Sequence, residues 1–409
     1  MKNYDIVIAG GGMVGASLAL ALAPLGLRTA IVEAVPREAG QQPSFDDRST
    51  ALSRSTQRMF EAMGIWDAVV AASTPITNIH VSDKGRFGFA HIDAHEQGVE
   101  ALGYVVINRV LGRVLQDALA AVPNLDSLCP ASITAASPET GGVAVTLARD
   151  GKPEEVAGRL LVAADGANSA VREMVGIGVS QVAYEQRAII GNLLPEMPMR
   201  NRAFERFTSD GPLAMLPVAD GRAGFVWVVA ERDAERILEL DDEAFLARLQ
   251  QTFGNRLGEL TRVGKRSSYP LSLSKALRLT APRTVLVGNS AHGLHPAAAQ
   301  GFNLGLRDVA ALCDCIADAR DADPAAFDPG APEQLARYAE WRRPDQQKLV
   351  RFTDGLVRLF GDTRPPIAAL RGAGMLAFDL VPGVRKVFAR HTMGLAGRLP
   401  RLSRGVPLA

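Results

Sequence analysis

The sequence has few cysteines and almost no net charge, and both shortages exclude classes of protein. Its cysteines are Cys129, Cys313 and Cys315. The last two stand two positions apart in a predicted helix, where they point in different directions and suit neither a disulfide nor a shared metal ion. Basic and acidic residues number 45 and 44, a balance that argues against a dedicated nucleic-acid-binding protein. We therefore expect a cytoplasmic protein of a reducing compartment that binds no nucleic acid.

Internal repeats and low-complexity tracts are also lacking, so the chain is expected to be globular. Its 409 residues, 47% of them hydrophobic, exceed the roughly 250–300 residues at which a single core stops growing, which predicts two structural regions. An uncharged run from 6 to 27 has the length of a membrane span. Its inner pattern instead predicts a strand (YDIVIAG), a glycine turn, a helix (ASLALALAPLG) and then a second strand (RTAIVEA).

The glycines of this unit form the pattern GxGxxG at Gly10, Gly12 and Gly15. They allow a tight turn, close approach of the backbone to a pyrophosphate and close packing of the helix on the sheet, while the helix N-terminus favours the phosphates. Glu33 ends the second strand, where it is either a ribose ligand or a solvated strand end. The combined pattern favours a dinucleotide site that includes Glu33.

Two further predicted strands end in glycine turns. The strand RLLVA leads to Asp165-Gly166, with a helix expected to begin near Ser169, and the strand RTVLV leads to Gly288-Asn289. Ligands of open α/β sheets lie outside the carboxyl ends of the strands. Three such ends at one edge predict a crevice long enough for an extended cofactor such as FAD.

After the third turn, His292 and His295 stand three residues apart. Since no third histidine, cysteine or carboxylate has a suitable spacing, the sequence predicts no metal site. His295 is a candidate catalytic base, with a packing role as the alternative. No Ser/His/Asp or paired-carboxylate pattern is evident elsewhere.

These motifs together resemble the single-component flavoprotein aromatic hydroxylases of the p-hydroxybenzoate hydroxylase fold. The motifs are GxGxxG with Glu33, RSTALS (48–53), the Asp165-Gly166 turn and GNSAHGLHPAAAQGFNLGLRD (288–308). Other segments resemble the ubiquinone-biosynthesis hydroxylases, and within them the 2-polyprenyl-6-methoxyphenol hydroxylases: HVSDKGRFGF (80–89), RAFERFTSDGPLAMLPVADGR (202–222), GKRSSYPLSL (264–273) and YAEWRRPD (338–345). The likeness covers nearly the whole chain and thins after about residue 365.

The resemblance implies further FAD-binding residues. Arg48 begins the RSTALS segment, and the loop containing Pro296 passes beside the flavin ring with its proline backbone facing the substrate, which makes Pro296 a second catalytic candidate. Gly301 allows close backbone approach, and Asn303 lies in the first turn of a helix whose dipole favours the reduced flavin. The alternative is that these residues merely form a turn and a helix cap.

The chain departs from the family pattern at two positions. Asn289 follows Gly288 where many members have aspartate; asparagine keeps an acceptor for the ribityl hydroxyls but lacks the charge, so we expect softer binding. Ala299 stands where glycine is common, which puts the loop conformation in question if that position needs a positive φ.

The predicted fold class is α/β: a Rossmann-like FAD-binding domain, an interleaved substrate domain on a mostly antiparallel β-sheet, and a helical C-terminal region. One helix is expected in the substrate domain near 243–253, and helices from about 303 to 375 broken by a linker at 321–334. The predicted bounds are 1–74, 98–179 and 279–375 for the FAD-binding domain with C-terminal helices, 75–97 and 180–278 for the substrate domain, and 376–409 for a basic amphipathic tail.

One face of the substrate-domain sheet is expected to lie over the flavin ring as the roof of an apolar pocket. The candidates on that face are Met215, Leu216, Pro217, Phe225 and Trp227, with Met215, Pro217 and Trp227 as the predicted pocket residues. Plain core packing is the alternative for each of them, because large apolar residues are usually buried in any fold.

The resemblance implies an FAD-dependent monooxygenase that hydroxylates the ring of a polyprenyl-methoxyphenol intermediate in ubiquinone biosynthesis. Reduced flavin would take up molecular oxygen at its C4a carbon as a hydroperoxide and pass one oxygen atom to the ring, with NAD(P)H or another donor supplying electrons. The protein has to hold the phenol, favour its phenolate character and exclude water. The alternatives are a flavin reductase or halogenase on the same scaffold, and a structural member of a quinone-biosynthesis complex.

The C-terminal segment from Arg385 to Ala409 holds six Arg or Lys residues and no acidic residue, interleaved with apolar residues. Such a segment can lie on an anionic membrane surface or dock on a partner, and a solvated or disordered tail is the alternative. A polyprenyl-phenol substrate would favour peripheral contact at the inner membrane face without a spanning helix.

Overall fold

The computed structural model describes residues 2–36, 46–295, 300–362 and 364–408. Pro296 and Ala299 lie outside the described residues, so their expected roles stay predictions. The strands in chain order are β1 (Lys2–Ala9), β2 (Thr29–Val32), β3 (Ser49–Ser53), β4 (Ser73–Ile76), β5 (Asn78–Asp83), β6 (Phe89–Asp93), β7 (Gly103–Ile107), β8 (Leu125–Leu128), β9 (Ser132–Glu139), β10 (Gly142–Arg149), β11 (Lys152–Ala163), β12 (Val179–Pro195), β13 (Arg202–Phe207), β14 (Pro212–Pro217), β15 (Ala223–Ala230), β16 (Leu260–Val263), β17 (Ser267–Ala276), β18 (Thr280–Ala281), β19 (Thr284–Leu286) and β20 (His292–Gly293). The helices are α1 (Met13–Leu22), α2 (Arg54–Ala62), α3 (Trp66–Val70), α4 (Asn108–Ala120), α5 (Ala170–Met174), α6 (Glu231–Leu238), α7 (Asp242–Phe253), α8 (Gly301–Ala322), α9 (Pro332–Gly361), α10 (Pro365–Leu380) and α11 (Pro382–Thr392).

An eight-stranded sheet holds the N-terminal glycine motif. Its centre has the order β19-β11-β1-β2-β8, in which all neighbours are parallel. Ile6, Val7 and Ile8 of β1 are all fully buried, as expected for a central strand that is covered on both faces. Helix α1 packs against α4 and α8. This arrangement brings the carboxyl ends of β1, β2, β11 and β19 to one edge.

A nine-stranded sheet has the order β20-β17-β12-β15-β14-β13-β5-β6, with β16 paired to β12. All its pairs are antiparallel except β13 with β5. Helices α6 and α7 cover one face, where Ile237 and Phe245 join a buried cluster with residues of β12, β14 and β15. The other face is left for the candidate site.

The C-terminal helices complete the described fold. The predicted boundary at residue 376 falls inside α10, which packs on β6. Ala389 and Met393 are buried in a cluster with Ile92, and Leu402 is buried in the main core. Arg401, after α11, also forms an ion pair with Asp314 of α8 at 3.0 Å. The described part of the C-terminal segment is therefore folded against the protein, because its apolar residues pack near β6 and in the main core.

The α/β fold class predicted from the sequence is confirmed. The helix expected near 243–253 is α7, and Ser169 caps α5 by accepting a hydrogen bond from the Arg172 backbone N–H at 3.0 Å. Helix α6 was not predicted. The uncharged run from 6 to 27 divides into strand, turn and helix, and no helix among the described residues is long and apolar enough to span a membrane. The predicted domain bounds stay a prediction.

Candidate functional site

The first glycine turn brings β1, β11 and α1 so close together that side chains at its glycines would clash. Gly10 has φ +96°, and a Cβ atom there would lie 2.6 Å from the carbonyl oxygen of Ala164 after β11. A Cβ atom on Gly15 would lie 2.0 Å from the carbonyl oxygen of Gly10, so α1 can approach the turn only with glycine at that position. Gly12 is the N-cap of α1 and provides no side-chain cap. The turn therefore leaves the first amides of α1 open to an anionic ligand.

Glu33 lies at the end of β2 and is oriented by the backbone. Its Oε2 accepts a hydrogen bond from the Gly11 N–H at 2.7 Å, and its Oε1 accepts one from the Val35 N–H at 2.8 Å. Each carboxylate oxygen can accept a second hydrogen bond, so this orientation is compatible with ribose hydroxyls. Ribose binding by Glu33 stays a prediction.

The second glycine turn follows β11. Asp165 Oδ2 accepts a hydrogen bond from the Val171 N–H at 3.1 Å, whereas its Oδ1 is buried with no hydrogen-bond partner among the described residues. Its neighbours Ala164 and Gly166 line the central cavity, and Gly166 has φ +87°. A buried acceptor without a partner beside a cavity indicates a ligand that donates a hydrogen bond.

The backbone of the third glycine turn is bound by the carboxylate of Asp308. Gly288 has φ +62° and packs on Val14 of α1, with its N–H donating to Asp308 Oδ2 at 3.1 Å. Asn289 is exposed and lines the cavity. Its side chain is therefore available to a ligand, and its role toward the ribityl hydroxyls stays a prediction.

Asp308, on α8, is the centre of a fully buried polar network that the sequence analysis missed. Its carboxylate contacts His292 Nε2 at 2.6 Å, Arg342 Nε at 2.7 Å and Gln346 Nε2 at 3.1 Å. Burial alone would raise the pKa of Asp308, but the charges and hydrogen bonds of His292 and Arg342 hold it well below its usual range. Asp308 therefore stays ionised and ties the third turn to α8 and α9. The sequence signal that could have revealed this network is a carboxylate among the apolar residues on one face of a predicted helix.

The two histidines have different surroundings. His292 binds Asp308, whereas His295 is buried with its ring edge-on to Tyr184 at 5.1 Å between centroids. Burial lowers the pKa of His295 to about 4 against the opposing effect of Asp354. A group with this pKa is a poor proton acceptor near neutrality, which favours the packing alternative. No group of three or more His, Cys, Asp or Glu residues that could hold a metal ion occurs in the described part of the chain.

Asn303 lies in the first turn of α8, as predicted, but its side chain faces the β3–α2 junction. Its Oδ1 accepts from the Ser53 N–H at 2.8 Å and from Thr56 Oγ1 at 2.7 Å, and its Nδ2 donates to the Ala51 carbonyl at 2.9 Å. Asn303 also lines the cavity with Gly301. The side chain thus positions the RSTALS segment against the helix.

Arg48, the first residue of that segment, lies at the cavity wall. Its guanidinium forms an ion pair with Asp46 and lies over the Tyr269 ring, 5.8 Å from the centroid. Both Arg48 and Tyr269 line the cavity. Arg48 therefore lies where the FAD-binding edge meets the nine-stranded sheet.

The cavity has a volume of about 1030 Å³ and continues from the glycine turns across the open face of the nine-stranded sheet. The predicted pocket residues Met215, Pro217 and Trp227 do not occur among the described residues that line it. Met215 and Trp227 instead lie in the cluster covered by α6 and α7. The sheet residues that line the cavity are Ala203, Phe204, Glu205 and Phe207 on β13, Ala214 and Leu216 on β14, and Val226 on β15. Of the face predicted to cover the flavin, Leu216 lines the cavity, whereas Met215, Phe225 and Trp227 lie on the side covered by α6 and α7. This cover was not expected, because α6 was not predicted.

The far wall of the cavity comes from α9, α10 and α11. Phe360 stacks on Phe207 of β13, with 3.7 Å between ring centroids, and Met375 joins the same cluster. Arg371 of α10 is buried and donates from Nη2 to Asp83 Oδ2 at 2.6 Å, while its Nη1 donates to carbonyls at the end of α9. These contacts fix the helices against the sheet.

The arrangement fits an extended dinucleotide. The three turns meet at one end of the cavity, where Gly12, Gly166 and Asn289 all line it. This end offers open helix amides and acceptors, while the rest of the wall is mainly apolar. That division suits FAD, whose phosphates and ribityl hydroxyls are polar and whose ring system is flat and largely apolar.

Comparison with known proteins gives the same answer. The family model described as FAD binding domain matches residues 3–353. The chain belongs to this family.

Among its relatives, the ubiquinone hydroxylase UbiL of Rhodospirillum rubrum is 40% identical over 100% of this chain and 94% of that protein. The 3-demethoxyubiquinol 3-hydroxylase of Escherichia coli is 32% identical over 96% of this chain and 98% of its own length. The solved structure of p-nitrophenol 4-monooxygenase from Pseudomonas putida covers 97% of this chain and 100% of that chain, with a TM-score of 0.79 and 18% identity, which supports the fold. The predicted family, the FAD cofactor and the FAD-dependent hydroxylase class are confirmed.

Proposed function

We propose that this flavoprotein hydroxylates the aromatic ring of a polyprenyl-phenol intermediate in ubiquinone biosynthesis. The observation that carries the proposal is the mainly apolar cavity, which begins at the FAD-binding turns and extends beneath α9, α10 and α11. With FAD at the glycine turns, the apolar part of the cavity beneath these helices is left for the substrate, and a polyprenyl chain would bury its surface along this wall. The named activities of the two sequence relatives support the same substrate class.

The residues around the cavity have three tasks in this reaction. The cofactor, once reduced by a nicotinamide or another donor, supplies the oxygen-activating chemistry. Ala203, Leu216 and Val226 present an apolar surface to the substrate ring, and Phe360 and Met375 enclose the far end. Excluding water from this space favours transfer of oxygen to the ring over loss as hydrogen peroxide.

Access to the cavity lies on a surface that suits a membrane. Leu359 and Leu370 line the cavity and are also exposed, with Leu370 at 73%, so they mark an opening between α9 and α10. Nearby exposed apolar residues are Phe87, Leu380, Val381, Val384 and Val387. Basic residues accompany them, namely Lys84, Arg86, Lys386 and Arg390.

We infer that this surface, the α10–α11 face, touches an anionic lipid bilayer peripherally. The predicted membrane contact thus moves from the extreme C-terminus, whose apolar residues are mostly packed, to α10, α11 and the β5–β6 turn. Substrate that is dissolved in the bilayer would then meet the opening without crossing water.

The proposed function is tested by the lipids of cells that lack this gene. Such cells are complemented with the wild type, with Gly12→Val, or with Gly355→Val as the control. Gly12 has φ −67°, which valine can adopt, so its side chain should obstruct the phosphate position without breaking the turn. Gly355 lies on the exposed side of α9, where a Cβ atom meets nothing within 4 Å.

Mass spectrometry should show a polyprenyl-phenol one oxygen short, cleared by the wild type and by Gly355→Val but not by Gly12→Val. If Gly12→Val is folded and free of flavin yet restores the quinone, the protein is a structural member of a complex. If no phenol accumulates, the substrate class is wrong. Purified enzyme that oxidises its donor without adding oxygen to any prenyl-phenol would indicate a reductase, and a halogenated product would indicate a halogenase.

A further inference from the structure

A single carboxylate lies in the apolar part of the cavity. Glu205 is on β13 between Ala203 and Phe207, and all three line the cavity. Its register partners on either side are Val81 of β5 and Ala214 of β14, which also line the cavity. Glu205 is half-buried, so its remaining accessible surface belongs to the cavity.

No side-chain hydrogen bond or ion pair joins Glu205 to any other described residue. The charged or titratable groups of the same cavity are engaged elsewhere: Arg371 with Asp83, Arg48 with Asp46, and His295 against Tyr184. Tyr269, on β17, lies under Arg48. Burial, without an opposing charge, raises the pKa of Glu205 to about 7. A carboxylate that is partly shielded from water without a protein partner is costly, so its position in the cavity indicates a ligand.

The position of Glu205 along the cavity indicates which part of a ligand it meets. Ala203 and Leu216 pack in a cluster with Ala51 of β3, at the end that carries the FAD-binding residues. Phe207 packs on Phe360 at the helical end. Glu205 is two residues beyond Ala203, roughly 7 Å along the strand. That separation is about the width of a phenol ring, so a ring placed at the flavin end would direct a substituent at Glu205.

We propose that Glu205 binds the hydroxyl group of the substrate phenol and takes its proton while the ring is hydroxylated. This inference rests on the proposed function, since it requires a phenol in the cavity. In the resting complex the carboxylate accepts a hydrogen bond from the O–H, because a phenol holds its proton more tightly than a carboxyl group does. As the ring carbon gains oxygen, the ring becomes electron-poor and its O–H more acidic. The O–H bond then breaks, its electron pair passes into the ring, and the proton moves to a Glu205 oxygen.

The test uses the full-length, FAD-loaded protein as wild type, Glu205→Gln and Glu235→Gln. The glutamine variant keeps the shape and an acceptor at position 205 but cannot take a proton, and Glu235 is an exposed glutamate on α6. Two probes are compared: a phenol carrying one prenyl unit, and the same molecule with hydrogen in place of the hydroxyl group. Dissociation constants are measured from the flavin absorbance of the oxidised protein between pH 5.5 and 8.5.

In the wild type and in Glu235→Gln, the preference for the phenol over the deoxy probe should rise about tenfold or more from pH 5.5 to 8.5, since charged hydrogen bonds are the stronger ones. In Glu205→Gln the preference should not change with pH. Single turnover should then show hydroxylation slowed about 100-fold or more, with hydrogen peroxide released instead of product. A merely structural role would not produce the pH-dependent preference.

The outcomes separate the two proposals. If the wild type hydroxylates the prenyl-phenol and Glu205→Gln matches it in pH-dependent preference and in rate, the role of Glu205 is refuted and the proposed function stands. If the wild type forms no hydroxylated product from any prenyl-phenol, the proposed function fails whatever the binding data show. Flavin content and circular dichroism establish that each variant is folded.

Discussion

Replacing Asp308 by asparagine should weaken both the fold and FAD binding. The substitution removes the negative charge that faces Arg342, whose side chain is 2% exposed. Breaking one side of a buried pair typically costs about 3–5 kcal/mol. Because Asp345 still contacts Arg342 at 2.6 Å, we expect the lower end, about 3 kcal/mol. The amide oxygen cannot accept from Gly288, His292, Arg342 and Gln346 together, so the third glycine turn should also loosen.

Urea unfolding of the flavin-free protein measures the first effect, and flavin titration measures the second, for which we expect at least a tenfold higher Kd. Asp318→Asn is the matched control, because it lies in the same helix and its pairs with Arg337 and Arg401 are partly exposed to solvent; it should cost less than about 1 kcal/mol. The pKa of Asp308 is depressed in the fold, so its contribution is present above the unfolded value of about 4 and is lost as pH falls further. If Asp308→Asn and Asp318→Asn have the same free energy of unfolding at pH 7, the network does not hold the fold as inferred.

Three other predictions follow from the same contacts. Gly15→Ala should abolish FAD retention on gel filtration, because its Cβ would lie 2.0 Å from the Gly10 carbonyl oxygen, while Gly355→Ala should retain FAD. Leu370→Glu should reduce cosedimentation with anionic vesicles several-fold, and Leu277→Glu, at an exposed leucine away from the α10–α11 face, should not. As pH rises from about 4.5 to 7, the free energy of unfolding of the wild type should fall by about 3 kcal/mol relative to that of Glu205→Gln, because the raised pKa of Glu205 means that the folded state binds its proton more tightly. Parallel stability profiles would contradict this.

The cofactor end of the site could be predicted because its rules are local. A strand, a glycine turn and a helix read from neighbouring residues identify Gly10, Gly12 and Gly15, and the structure shows the close contacts that require glycine. The carboxyl-end rule then brings Asp165 and Gly288 to the same edge, although they are far apart in sequence. Each of these inferences needs only the chain's own pattern and the general geometry of parallel sheets.

At the substrate end, the residues that line the cavity are determined by packing between elements that are far apart in sequence. The alternation along β14 separates Ala214 and Leu216 from Met215, but which set faces a cavity is decided by α6 and α7 on the other side. The role of Asp308 likewise depends on Arg342, which approaches from α9. Long-range packing, rather than local propensity, sets both features, and single-sequence patterns carry little information about it.

The cavity wall made by α10 and α11 also has a consequence for the order of synthesis. In chain order, Gln346 is the last residue of the Asp308 network, and Thr392 is the last described residue that lines the cavity. At roughly 5–20 residues per second, the intervening chain takes about 2–9 s to make. During that time a nascent chain has the three glycine turns and the Asp308 network but leaves Val81 and Phe207 uncovered. A message truncated before α10 would therefore encode a protein whose apolar cavity is open to water and whose main core lacks Leu402.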